Sequence, residues 1–306
     1  NLFINSLGNP NLQWEQTNEY NLGLDLAVLK NRLNLTVDLY YSKTKSLLFK
    51  KDISTITGYS NVWTNLGKVR NQGIEVELTS YNIKSKNVEW NTSFNISANR
   101  NKLLDLGGVS QQITYGDQGE MYIAKVGEPV VQFYGYKTIG VWASEEEVAN
   151  NPHYVIDRSG GLRVQNTNND GEINDDDRVA LGSPYPDFTW GITNNVKYRN
   201  FDLSVLLQGS QGGKVFNRDE LYNETRKYNK NYVVGRWISE TNTGNGKTPY
   251  YDYGIKHYLT DYPLQDASYI ALRDITIGYT VSKKILKSTI FSSLRLYTSI
   301  QNLGYW

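Results

Sequence analysis

The 306-residue chain contains no cysteine, which rules out disulfide frameworks, thiol catalysis and cysteine metal sites while leaving the compartment open. It also lacks any apolar run near the ~18 residues that a spanning helix needs, so the protein is either water-soluble or crosses a bilayer as strands. Neither sign of charge dominates. Lys and Arg number 32 against 31 Asp and Glu, for a net charge of +1, and no global field favours nucleic acid. Two histidines, His153 and His257, stand apart in irregular sequence, and there is no Gly-x-Ser-x-Gly elbow. The chain offers no credible active site and is read as a non-enzyme. It opens at Asn1 without a charged and then apolar leader, as expected of a processed or partial chain.

What is present is aromatic and polar: 39% of the residues are hydrophobic, yet 24 are Tyr and seven are Trp. Tyr20, Leu22, Leu24, Leu26 and Val28 alternate with polar or small residues. After Lys30, Asn31 and Arg32, a second alternating run carries Leu33, Leu35, Val37, Leu39 and Tyr41. A period of two predicts a two-stranded antiparallel hairpin with one apolar and one polar face. The pattern recurs in 74–98, in 188–207 and in 269–302. Irregular stretches at about 43–66, 101–187 and 209–267 are expected to be long loops, and Ser144 is placed to cap a short acidic helix before Asn150. All seven prolines fall outside the proposed strands, as ladder hydrogen bonding requires.

Alternation alone fits both a soluble sandwich and a membrane barrel. Segments of about 10 to 14 residues, short turns at one end and long loops at the other, and abundant Trp and Tyr favour the barrel. Eight strands could close a small barrel, but the last strand has no evident closing partner. The expected fold is therefore all-β: a single partial antiparallel transmembrane β-barrel domain over 1–306, with short periplasmic turns and long extracellular loops.

Several runs carry a family resemblance. They are Gly8-Asn9-Pro10-Asn11-Leu12-Gln13-Trp14-Glu15 with Asn21-Leu22-Gly23-Leu24-Asp25; Gly58-Tyr59-Ser60; Asn65-Leu66-Gly67 with Val69-Arg70-Asn71-Gln72-Gly73-Ile74-Glu75; Phe133-Tyr134-Gly135-Tyr136; Gly182-Ser183-Pro184-Tyr185-Pro186-Asp187-Phe188; and 268–280. In this order they resemble the later barrel strands of SusC/RagA-type TonB-dependent transporters. The resemblance implies an outer-membrane location in a Gram-negative bacterium and roughly 22 barrel strands, about 8 of them here. It also implies import of a glycan or peptide ligand, a SusD-like surface lipoprotein as partner, and contact with TonB through an N-terminal plug that is absent from this sequence. Two other functions stay open: a SusC-like barrel serving as a structural subunit of a larger assembly, and a secreted calcium-stabilised carbohydrate-binding β-domain.

Two sets of site residues are expected. The run 166–177 places oxygen side chains at loop positions one, three, five, nine and twelve, with Gly171 at six. Asn166, Asn168, Asp170, the Glu172 carbonyl and Asp177 are the candidate ligands of a structural Ca²⁺. An Asx-turn-rich solvated loop would have the same sequence. Tyr134, Tyr136, Trp142, Tyr232, Trp237, Tyr251 and Tyr253 are candidate ligand or lid contacts, because aromatic faces pack on sugars and on partner proteins alike. Glu75 and Glu77 could pair as acid and base, but a wet lumen wall explains them better. Gly246-Lys247-Thr248 lacks the upstream glycine of a phosphate loop, and Pro249 stops the helix that should follow.

Overall fold

A computed structural model describes residues 7–117, 119–219, 234–250, 254–287 and 290–306. The chain begins with β1 (Gln16–Val28), β2 (Leu33–Asp52), β3 (Asn61–Lys84) and β4 (Val88–Leu106), then passes through β5 (Gln111–Tyr115), β6 (Met121–Lys125), β7 (Gln132–Gly135), β8 (Thr138–Val141), helix α1 (Glu145–Ala149), β9 (Leu162–Val164) and β10 (Val179–Gly182). It continues with β11 (Phe188–Tyr198), β12 (Phe201–Gln211), β13 (Lys214–Phe216), β14 (Leu264–Asp266), β15 (Tyr269–Thr280), helix α2 (Lys283–Leu286) and β16 (Arg295–Tyr305). Two compact units result: Asn1–Gly107 with Pro186–Gly212 and Ala267–Trp306, and Gly108–Tyr185 with Gly213–Asp266, the second made of the stretches expected as the two longest loops.

The first unit is one antiparallel sheet in the order β1-β2-β3-β4-β11-β12-β15-β16. Residues opposite one another on neighbouring strands share a face, so register shows how the sheet divides. Leu26, Leu35, Leu78, Phe94, Ile192 and Leu207 form one row across six strands. The next row, Ala27, Asn34, Thr79, Ser93 and Thr193, is on the other face. The apolar face is open: Leu22 and Leu24 are 70% and 57% exposed. In water so large a bare patch would be an aggregation liability; against hydrocarbon it is the natural outer surface of a barrel wall. This decides against the soluble sandwich.

One expectation of chain tracing is corrected. The stretch 43–66 is mostly strand: β2 runs on to Asp52 and β3 starts at Asn61, leaving only 53–60 between them. Positive φ at Ser46 and register shifts on either side of Leu47 interrupt the period of two there, so a continuous strand reads as irregular sequence. The connection 281–294, expected only as a link within the last hairpin, carries α2. The other three short connections, 29–32, 85–87 and 199–200, are as expected, with Leu29, Lys30, Asn31 and Arg199 at positive φ. Gly73 is required by packing, since a Cβ there would lie 2.5 Å from the Tyr40 ring.

The second unit is built by the two long connections. β10-β7-β6-β5 form one small sheet, and β8-β9 and β13-β14 form two ribbons. Ser144 caps α1 as expected, accepting a hydrogen bond from the Glu147 amide at 3.1 Å. The core has two clusters: Tyr136, Val164, Ile173 and Ile255, and Val141, Leu162 and Trp237.

Candidate functional site

Alternation places Asp25, Thr36, Asp38, Glu75, Glu77, Asn95 and Ser97 together on the polar face of the large sheet. A shallow cleft of about 270 Å³ is lined there by Thr36, Asp38, Glu75, Glu77, Asn95 and Ser97. Thr36 donates to Asp25 at 2.7 Å, and Ser97 donates to Glu75 at 3.4 Å. Asp38 lies directly opposite Glu75, a like-charge pairing that costs a sheet stability unless water or a cation intervenes. Further along, Asp202 accepts two hydrogen bonds from the Arg295 guanidinium. The face is a wet wall rich in hydrogen-bonding groups.

In the second unit three of the candidate aromatics are corrected. Tyr136 and Trp142 are each 1% exposed and Trp237 is 7% exposed, so none has a ring face left for a sugar or a lid. They are core residues with their polar tips satisfied, as buried Tyr and Trp require. The Tyr136 hydroxyl donates to Asp175 at 3.2 Å, Trp142 Nε1 to Asp157 at 3.2 Å and Trp237 Nε1 to the Ala143 carbonyl at 3.1 Å. Arg178 and Arg163 lie over the first two rings at 5.2 and 4.7 Å. Burial pushes the Tyr136 phenol up to about 12. Tyr134 is half-buried on β7; Tyr232, Tyr251 and Tyr253 lie outside the described residues. Sequence reasoning missed a cleft of about 520 Å³ walled by Thr138, Asn245, Lys247, Asp261 and Tyr262. Its only trace in the sequence is the Asn245-Gly246 turn, where Asn245 Oδ1 accepts from the Lys247 and Thr248 amides.

The acidic loop closes on itself. Asn166 Oδ1 accepts from the Asn169 amide at 2.6 Å, Asn168 Oδ1 from the Asp170 amide at 3.1 Å, and Asp170 Oδ1 from the Glu172 amide at 2.9 Å. Asp177 is fully buried, and its two oxygens accept from the Thr167 and Asn174 amides at 2.7 and 2.9 Å. Among the described residues no three Asp, Glu or His side chains gather to hold a metal. Any ligand set here is two carboxylates, Asp170 and Asp177, with amide and carbonyl oxygens.

Asp157 gives this unit a defined pH response. Burial pushes its carboxyl above the ordinary value, opposed by hydrogen bonds from the Tyr154 amide and Trp142 and by nearby His153. A raised folded-state value means that its contribution to stability is complete below the ordinary carboxyl value, ~3.9, and is lost as pH rises through the raised one. Asp157→Asn is expected to flatten this part of the pH dependence, read as melting temperature of the second unit between about pH 4 and neutrality.

An open antiparallel wall, apolar outside and polar inside, with strands joined by short connections at one end and long ones at the other, defines a membrane-spanning β-barrel protein. The family of TonB dependent receptor-like β-barrels matches residues 1–303, and the chain belongs to it. TonB-dependent receptor P3 of Formosa agariphila is 33% identical over 98% of this chain and 30% of its own length. TonB-dependent receptor SusC of Bacteroides thetaiotaomicron is 27% identical over 96% of this chain and 29% of its own. The solved structure of the RagAB peptide transporter superposes on all of this chain and 33% of its own, with a TM-score of 0.81 at 20% identity, a likeness of fold. The chain spans about a third of the length of these relatives. The SusC/RagA resemblance and the outer-membrane location in a Gram-negative bacterium are borne out. The family is one of receptors, not enzymes, and a secreted β-domain is excluded.

Proposed function

We propose that this chain is part of the barrel of a TonB-driven importer of oligosaccharides or peptides, working beneath a SusD-like surface lipoprotein. The observation that carries the reading is the two-faced sheet: its polar face, with the acidic cleft at Asp38, Glu75 and Glu77, suits a hydrated lumen that holds a plug and passes a polar ligand. The long connections face the cell exterior, and 29–32, 85–87, 199–200 and 281–294 face the periplasm. Deleting the TonB-contacting segment of the intact receptor is expected to abolish uptake of its ligand; unchanged uptake would leave the barrel a structural subunit and end the importer reading.

The acidic loop takes a structural Ca²⁺ through Asp170, Asp177, Asn166, Asn168 and the Glu172 carbonyl. So few charged ligands predict weak binding, a Kd of about 10⁻⁴–10⁻³ M, the range of extracellular modules. Ca²⁺ added back to chelated receptor is expected to raise the melting temperature of the loop unit, and Asp170→Asn is expected to remove the shift. No shift with the parent protein rules out the ion.

A further inference from the structure

Four connections lie at one end of the large sheet: 29–32, 85–87, 199–200 and 281–294. Not one contains an acidic residue. They expose Lys30, Arg32, Lys86, Arg199, Lys284 and Lys287. Lys84 and Lys197, one step inside the strands, do not join this set because both lie opposite Glu89. The long connection 107–187 has the reverse balance, its acidic residues outnumbering the basic ones.

The register places an aromatic row next to several of these charges. Val88, Tyr198, Phe201, Tyr279 and Leu296 form a row on the outward face of β4, β11, β12, β15 and β16. The rings of Phe201 and Tyr279 are 4.7 Å apart, and Tyr198 and Phe201 are half or more exposed. Trp90, in the next outward row opposite Val196, adds an indole beside this row. An outward belt of Tyr, Trp and Phe marks the boundary between hydrocarbon and headgroups. Lys86 and Arg199 sit just beyond it, Lys284 and Lys287 lie in the connection that follows Tyr279 and its strand, and Lys30 and Arg32 lie in the corresponding connection after β1. Arg199 reaches back over the Tyr198 ring, 5.3 Å from its centroid.

We propose that these connections form a cationic collar that binds the phosphates of anionic glycerophospholipids in the adjoining leaflet. Cations in connections that themselves carry no carboxylate are complementary to phosphodiesters and indifferent to zwitterionic lipid, whose ammonium cancels the phosphate. Attraction to a surface of this kind acts within a Debye length, about 10 Å at 0.1 M salt and about 3 Å at 1 M. The binding needs only the spanning orientation of the sheet and not transport.

Native mass spectrometry of the intact receptor, offered equal phosphatidylglycerol and phosphatidylcholine in mild detergent, is the test. The parent is expected to retain phosphatidylglycerol at least about tenfold more than phosphatidylcholine. Arg32→Gln, Lys86→Gln, Arg199→Gln and Lys287→Gln together are expected to erase that preference while heat-modifiable gel mobility stays intact. Lys43→Gln with Lys45→Gln, ten or more residues along β2 from these connections, is expected to leave it unchanged. Equal retention of the two lipids by the parent, or undiminished preference in a folded quadruple variant, overturns the collar. Ligand uptake is a separate readout, so this inference and the importer reading fail independently.

Discussion

Arginine at Leu24 or Leu35 is expected to prevent assembly of the barrel wall, whereas arginine at Asn21 or Asn34 is expected to be tolerated. Leu24 stands in the outward row with Val37, Val76, Ile96 and Trp190, and Leu35 in the next row with Leu26 and Leu78. A cation on the lipid face costs about 2–4 kcal/mol at mid-depth and less toward either interface, so Leu24, deeper than Leu35, is expected to show the larger loss out of the 5–15 kcal/mol or so by which folded proteins are usually stable. Asn21 lies opposite Tyr40, and Asn34 opposite Ala27, on the polar face, where a charge stays hydrated and the effect stays within ~0.5 kcal/mol. The fraction of receptor with heat-modifiable mobility in outer-membrane preparations measures both pairs. Equal loss at all four positions would mean that the polar face is the one turned to lipid.

Trp142→Ala is expected to dismantle the second unit without disturbing the sheet. The indole is 1% exposed, lies under the Arg163 guanidinium and holds Asp157 through Nε1. Removing a buried Trp side chain costs about 3–5 kcal/mol through lost contacts and the cavity left behind, and the buried carboxylate also loses a donor. Amide exchange should rise throughout 108–185 and 213–266 and stay slow in β1–β4. Tyr134→Ala, at a half-buried position, should do much less. If Trp142→Ala instead weakened ligand binding with exchange unchanged, the ring would be a contact residue after all.

The large sheet was legible because each strand between bilayer and lumen obeys one rule, apolar one way and polar the other, over ten or more residues. Where a strand leaves that two-sided environment the rule lapses. β2 continues beyond Lys45 and β3 begins before Gly67, but positive φ at Ser46 and the bulges around Leu47 shift the alternation, and no local propensity records the partner strand that keeps the segment extended. The second unit was illegible for a different reason. Its strands are three to five residues long, too short for a period, and its core joins residues as distant as Val141 and Trp237. A polar, tyrosine-rich stretch does not declare which rings will be buried, so Tyr136, Trp142 and Trp237 looked like binding residues. The turn chemistry of the second unit was readable nonetheless: Ser144 caps, and the Asx spacing of 166–177 folds as Asx turns.

The sheet order leaves β1 and β16 each with a neighbour on one side only. Along their free sides run amides and carbonyls that, at membrane depth, cost several kcal/mol apiece until paired. These margins therefore act as templates: each forces the register of the strand that pairs with it.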